Sequence, residues 1–325
     1  MLLLSRAEVA RLMDFTDYVD AVEAGFLAAA GSTALAPPAA AFHVPDGSYH
    51  AKAAALLAGD PPVMAIKLNG NYPGNPATNG LPTVQGVIYL ADATNGRPLA
   101  LMDSIEVTIN RTGAATTLAA RRLARRDSRV ATICGAGVQG RIQARAIAAA
   151  VKLDTIHIWD IRPGAAEKLA RDLDGELKID VRPSADLAIA RESDIIVTAT
   201  SSKTAFLTPE LVRPGTFIAA VGADNSDKSE IAPALYARSQ AVVDSLEQCV
   251  EIGDLHHALK AQAVTTAQVH ATLAELVAGH KAGRSTDEAI TLFDSSGLGL
   301  QDVASAAAIY RRALQRGVGH RLPLN

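Results

Sequence analysis

The chain is short of cysteine, of aromatics, of charge of either sign and of long apolar runs, and each shortage excludes something. Two cysteines occur in 325 residues. Cys134 and Cys249 lie far apart without CxxC spacing, so neither a disulfide framework nor a thiolate zinc site is expected, and a reducing compartment is. Aromatics make up 4% against 49% hydrophobic residues, so the interior has to be built from Ala, Leu, Val and Ile. A net charge of −3 offers no basic field, and nucleic acid is not expected as a partner. The longest weakly polar run, Ala24 to Phe42, is broken by Gly31, Ser32, Thr33, Pro37 and Pro38, short of the roughly 18 apolar residues of a membrane span. The apolar start Met1–Leu4 is interrupted by Ser5, Arg6 and Glu8, so no export signal is read and a cytoplasmic location is expected. GxxxxGK[ST], HExxH and GxSxG are missing too, which removes the usual support for P-loop, zincin and α/β-hydrolase chemistry. No internal repeat occurs. The eight histidines lack ligand spacing, and the adjacent His256-His257 reads as a surface or packing pair, so no metal is expected.

What is present suggests about two domains. Ser5 reads as a helix N-cap with Glu8 three residues on, and Val9, Leu12, Val19, Val22, Phe26 and Leu27 continue at helical spacing, giving one amphipathic opening. Val63–Leu68 and Val84–Leu90 are β-type runs on either side of a loop rich in Gly, Asn and Pro. Asp92–Arg97 reads as a hairpin turn into Leu99–Met102. The segment from Phe42 to Lys52 reads as loop. A helix over Arg111–Arg126 ends in an arginine cluster taken as a solvated face. The style then changes. Strand 129–134, helix 138–151, strand 155–159, helix 165–173 and strands 194–200, 216–221 and 240–244 alternate as in a parallel, doubly wound sheet. A helix 269–278, a strand 289–293, a turn 294–297 and a helix 303–316 close the chain.

Gly135-Ala136-Gly137-Val138-Gln139-Gly140 follows a strand directly and opens a helix. Gly135 permits the tight turn, Gly137 removes the side chain that would block a pyrophosphate, and Gly140 lets helix and strand pack closely, while the helix N-terminus presents free N–H donors. Asp160 ends the next strand, twenty residues after Gly140. A carboxylate there accepts hydrogen bonds from ribose hydroxyls and repels a 2′-phosphate, which favours NAD(H); Arg162 nearby weakens that preference and leaves NADP(H) admissible. A glycine turn without a dinucleotide is the alternative.

Several segments jointly resemble the ornithine cyclodeaminase and mu-crystallin family, most of all its archaeal-type alanine dehydrogenase branch. They are Leu81–Val84, Arg111–Ala115, Gly135–Gln139, Val221–Asp224, Val243–Gln248 and Thr291–Leu298, and the resemblance spans nearly the whole chain. It implies a Rossmann-type dinucleotide domain over 113–297, inserted into a mixed α+β substrate and dimerisation domain made of 1–112 and 298–325, and hence a homodimer. It places the active-site lysine on Lys67, a charge inside an apolar strand that would otherwise read as solvent-facing. It places the arginine that meets substrate carboxylate and cofactor on Arg111, otherwise a helix-start residue, and the acidic catalytic residue on Asp224, otherwise a turn cap. Thr83, Thr200, Val221, Lys228 and Ser295 match cofactor contacts, Gln139 and Val138 follow the glycine loop, and Ser296 falls at the substrate. One departure stands out: the arginine that follows a proline pair in many relatives is replaced here by Ala39-Ala40-Ala41 after Pro37-Pro38, and Lys52 is the candidate for the lost positive charge.

The chemistry implied is hydride transfer between nicotinamide and the α-carbon of a small amino or imino acid. The products considered are those of a cyclic imine reductase or an alanine dehydrogenase. The alternatives are a redox-neutral ornithine cyclodeaminase and a mu-crystallin-like nucleotide-binding protein without turnover.

Overall fold

The computed structural model describes residues 1–323. The chain divides into two compact units, one formed by Met1–Ala114 with the segment from Leu298 onward, the other by Ala115–Gly297.

In the first unit β1 (Leu2–Leu4) leads into α1 (Arg6–Leu12) and α2 (Phe15–Ala30). The opening read as one helix is therefore two. Ser5 and Glu8 form the expected capping box, but Met13 is extended, and Asp14 starts a second helix by accepting the Asp17 amide while the Asp17 carboxylate accepts its own. An internal cap outweighs the continuous apolar period. The strands are β2 (Ala34–Leu35), β3 (Ala40–Val44), β4 (Gly47–Leu56), β5 (Val63–Asn71), then, after a single turn α3 (Asn75–Thr78), β6 (Val84–Asp92) and β7 (Pro98–Asp103). Their order in the sheet is β1-β7-β6-β5-β4-β2, with β3 also on β4 and a short strand His320–Arg321 beyond β1. Among the described residues only the β1–β7 pairing of this sheet is parallel. The segment read as a loop, 42 to 52, is the β3–β4 hairpin, turned at Asp46 with φ +66°. Alanines that carry little strand signal hid it, and the stacked rings of Phe42 and Tyr49 hold the pair.

Along β5 the alternation is strict: Val63, Ala65, Lys67 and Asn69 point inward, and Ile66 and Leu68 are exposed. The C-terminal helix Gly299–Arg316, which begins four residues earlier than its apolar pattern suggests, covers the inner face of β4 and β5 with α2 beside it. A Cβ on Gly299 would lie 2.4 Å from the Ala53 carbonyl oxygen, so this glycine lets the helix start directly on β4. After β7 the helix α4 (Ile105–Leu123) begins six residues before the expected start, which places Arg111 in mid-helix.

The second unit is the doubly wound α/β fold that the alternation implies. Its elements are β8 (Val130–Cys134), α5 (Val138–Ala150), β9 (Thr155–Trp159), α6 (Ala165–Leu177), β10 (Asp180–Ser184), β11 (Ile195–Thr198), β12 (Phe217–Ala220), α7 (Pro233–Tyr236), β13 (Ser239–Val243), α8 (Leu246–Cys249), α9 (Asp254–Lys260), β14 (Ala271–Thr272), α10 (Leu273–Val277) and β15 (Ile290–Asp294). All eight strands run parallel in the order β10-β9-β8-β11-β12-β15-β13-β14. The order reverses between β8 and β11, the switch point at whose carboxyl ends such sheets bind ligands. The core on one side of it gathers Cys134, Ile196, Ile218, Leu235, Tyr236, Val243 and Leu255. Both cysteines are free and buried. Among the described residues no helix is long and apolar enough to cross a membrane.

Candidate active site

The glycine loop leaves β8 at the switch point. Gly135 has φ +109°, open to few residues but glycine, and a Cβ on Gly140 would fall 1.8 Å from the Gly135 carbonyl oxygen, so strand and helix touch there. A Cβ on Gly137 would meet no protein atom within 4 Å. Gly137 is the N-cap of α5 and no side chain caps it, so the first amides of a 13-residue helix face outward over that open ground. This is the cradle a pyrophosphate fits. Val138 is exposed at the helix start, and the Gln139 side-chain oxygen is buried without a partner among the described residues. The Asp160 carboxylate accepts the Ala136 amide at 2.7 Å, the Arg162 amide at 2.8 Å and the Arg162 guanidinium at 3.0 Å on each oxygen. Burial pushes this carboxyl up, but the guanidinium and the two amides outweigh it and hold it below the usual range. A ribose diol would thus share Asp160 with Arg162. Ile161 beside it is 85% exposed, an apolar surface that the sequence pattern did not flag.

At the ends of β11 and β12 the chain is drawn together by a residue missed in the sequence, Glu230. Its fully buried carboxylate accepts the Thr198 hydroxyl at 2.6 Å, the Thr200 amide and hydroxyl at 2.7 Å each, and the Gly222 amide at 2.9 Å. Gly222 is obligatory for this, since a Cβ would lie 2.4 Å from a Glu230 oxygen. Burial, with the charge of Asp254 added, pushes Glu230 up to about 7 against the pull of the threonine hydrogen bonds. Glu230 so fixes Thr200 and the turn that carries Asp224. Val221 is buried, its amide on the Thr198 carbonyl. Asp224 is half exposed and its Oδ1 accepts the Lys228 ammonium at 2.7 Å. Within that turn Asn225 accepts the Asp227 and Lys228 amides. Ser295 and Ser296 are buried on Asp244, at 3.3 and 2.7 Å. His256 and His257 are packed on the Val250 and Lys228 carbonyls. Among the described residues no group of three or more His, Cys, Asp or Glu could hold a metal ion.

In the first unit Lys67 is 3% exposed. Its ammonium lies 2.8 Å from both oxygens of Asp302 in the C-terminal helix. Burial pushes this amine down to about 7; Asp302 opposes the shift, and Arg111 and Lys52 add to it. Arg111, likewise buried, sets its Nε 3.4 Å from Asp302 and donates from Nη1 to the Gln301 oxygen at 2.5 Å. Neither Lys67 nor Arg111 is therefore a solvent-facing residue. Lys52 pairs directly with Lys67 across β4 and β5, on the same inner face and half-buried. Thr83 precedes β6, and its carbonyl accepts the Tyr72 amide. Asp302 and Gln301 went unnoticed in the sequence because their partners lie 190 and more residues away.

The Ornithine cyclodeaminase/mu-crystallin family model matches residues 1–317. The alanine dehydrogenase of Archaeoglobus fulgidus is 35% identical over 322 residues, covering 99% of this chain and 98% of the relative. Two solved structures are similar throughout. The Δ1-pyrroline-2-carboxylate reductase of Thermococcus litoralis, in complex with NADH and L-proline, is 34% identical with a TM-score of 0.93, covering 99% of this chain and all of that one. An archaeal alanine dehydrogenase dimer with bound NAD is 34% identical with a TM-score of 0.94, covering all of this chain and 99% of that one.

Proposed function

The chain belongs to the ornithine cyclodeaminase/mu-crystallin family, and from that premise we propose that it is an NAD-dependent oxidoreductase acting at the α-carbon of a small amino or imino acid. Its relatives include an alanine dehydrogenase and a Δ1-pyrroline-2-carboxylate reductase, and two similar structures hold NADH or NAD. The observation that carries the reading is Lys67: a lysine at 3% exposure, steadied by a buried carboxylate beside a buried arginine, in a chain that also has an uncapped glycine-loop helix at a sheet's switch point.

The first amides of α5 and Gly137 would hold the pyrophosphate, Asp160 the ribose, and Thr83, Thr200 and the loops after β12 and β15 the remainder of the cofactor, which supplies the hydride chemistry when bound. Lys67 and Arg111 hold and orient the substrate carboxylate, Arg111 by its fork of donors and Lys67 as a point charge, with Lys52 as a third cation on the same sheet face. Asp224 exchanges the proton of the substrate nitrogen. Retention of Lys67, Arg111 and Asp224 together supports turnover over nucleotide binding alone. The wild-type carboxylate Asp160 supports NAD(H), and the Arg162 fork lying on it supports some use of NADP(H).

We also propose a homodimer. On the outer face of β5 and β6 Ile66, Leu68 and Val87 are 38 to 41% exposed, with Leu68 and Val87 directly opposed in register, an apolar patch that a second copy would cover. One plate tests the activity: NADH and NADPH oxidation with Δ1-pyrroline-2-carboxylate, Δ1-piperideine-2-carboxylate, and pyruvate plus ammonia, beside ammonia release from ornithine and lysine with NAD. Consumption of NADH with at least one imino acid is expected. Ammonia release from ornithine without net NADH would make the protein a cyclodeaminase, and silence in every well would overturn the reading.

A further inference from the structure

The geometry assigns to two adjacent residues of the C-terminal helix, Gln301 and Asp302, the task of presenting the substrate-binding cations: Asp302 fixes the Lys67 ammonium and Gln301 the Arg111 fork. Both are positioning residues, and the inference rests on the function proposed above.

Gln301 and Asp302 occupy the first turn of the helix and are 0% and 1% exposed. Neither is placed to meet a ligand directly; each acts through the cation it touches. Asp302 takes Lys67 on both oxygens at 2.8 Å and Arg111 Nε at 3.4 Å. The Gln301 oxygen takes Arg111 Nη1 at 2.5 Å, and its amide nitrogen has no partner among the described residues, so Arg111 alone sets which way that amide faces. Ser305 donates to the Gln301 carbonyl one turn on. The position of the turn is itself fixed, because Gly299 seats it against the Ala53 backbone, next in line to Lys52. The groups facing the Lys67 ammonium are Asp302 from this helix, Arg111 from α4 and Lys52 from β4. Two cations and burial press Lys67 toward its neutral form, and Asp302 is the group that presses the other way. Without it a lysine poised near neutrality would lose its proton, and with the proton its hold on a carboxylate.

The test is the titration of Lys67 in protein labelled with 13C at lysine Cε, the resonance assigned by its disappearance in Lys67→Met. In Asp302→Asn the midpoint is expected to fall by at least one pH unit, and in Asp302→Glu by less. In parallel, kcat/KM for the imino acid should drop more at pH 8 than at pH 6 in Asp302→Asn, through KM. An unmoved midpoint, or an activity loss equal at all pH values, overturns the assignment. Should Asp302→Asn fail to fold, Asp302→Glu carries the titration and Gln301→Ala, which leaves every charge in place, is expected to raise KM at least fivefold with kcat within twofold; an unchanged KM contradicts the role of Gln301. If no imino acid is reduced by the wild-type protein, the functional reading fails, and the titration still decides whether Asp302 sets the charge of Lys67.

Discussion

Two groups of buried carboxylates, one in each unit, are satisfied in opposite ways. In the first, Asp302 is met by two cations, Lys67 and Arg111. In the second, Glu230, Asp254, Asp294 and Asp244 are all buried and are met by amides and hydroxyls. Asp254 accepts the Glu230 and Ile231 amides, and Asp294 the Leu255 amide at 2.7 Å. Burial pushes Glu230, Asp254 and Asp294 upward, and the charge of Asp254 adds to the shift of the other two, so part of this charge is given up by protonation. The lesson is a division of labour. Where the partners of a buried carboxylate are cations, the ion pair offsets part of the cost of burial; where they are amides and hydroxyls, part of the charge is given up.

The sharpest way to break this comparison is to remove one partner from each side. Lys67→Met leaves Asp302 with Arg111 alone. It should cost about 3 kcal/mol of stability, as unpairing buried ions does, and lower kcat/KM by 10²- to 10³-fold on the scale of a lost electrostatic donor, both read by thermal melts and steady-state kinetics. Glu230→Gln keeps the shape and removes the charge but turns an amide NH2 toward the Gly222 or Thr200 amide, and should cost about 1 to 2 kcal/mol at pH 7. Equal losses would erase the distinction. Asp224→Asn should lower kcat by roughly 10²-fold or more with KM changed little, as the proton-transfer role proposed for it requires.

Stability against pH sharpens the contrast further. Glu230 is raised to about 7 in the fold from 4.5, so the folded state holds its proton longer. Its contribution is full below pH 4.5 and is lost as pH rises through 7, on the order of 3 kcal/mol. Lys67 is lowered to about 7 from 10.5, so the unfolded state binds the extra proton and stability recovers as pH rises from 7 toward 10.5. Melting temperature should therefore decline from pH 5 to 7, and Glu230→Gln should flatten that limb, while Lys67→Met flattens the alkaline one.

Smaller effects separate packing from binding in the glycine loop. Gly140→Ala drives a methyl into the Gly135 carbonyl and should destabilise by about 1 to 3 kcal/mol. Gly137→Ala meets nothing in the protein and should melt within about 0.5 kcal/mol of wild type while NADH binding, followed by calorimetry, weakens at least tenfold. Arg162→Ala, which frees Asp160 for the ribose, should change the NADH Kd by less than about fivefold and weaken NADPH more.

How much of this could be read from the sequence follows the range of the physics. The parallel sheet and the glycine loop were legible because their demands are local: alternation of short apolar strands, and three glycines whose steric reasons lie within six residues of one another. Lys67 was visible as a charge inside an apolar strand, and the family resemblance gave it a role. The β3–β4 hairpin was not visible, since Ala40, Ala41, Ala51 and Ala53 to Ala55 alternate without contrast. Nor were Asp302 and Glu230. Asp302 lies just before the helix expected over 303–316, where nothing local marks it, and only its pairing with Lys67, 235 residues away, shows it turned inward. The arginine cluster before β8 was half right: Arg121 and Arg122 are exposed, but Arg125 is tied to Asp194 at 2.6 Å.

The central claim is hydride transfer to the α-carbon of an imino acid, and isotope transfer tests it most directly. With NADH deuterated at the transferring C4 position and Δ1-pyrroline-2-carboxylate, NMR of the product should find one deuterium on the α-carbon of proline, delivered without exchange into solvent. NADH that binds yet leaves the imino acid unlabelled, with every other imino acid of the plate equally untouched, would contradict it.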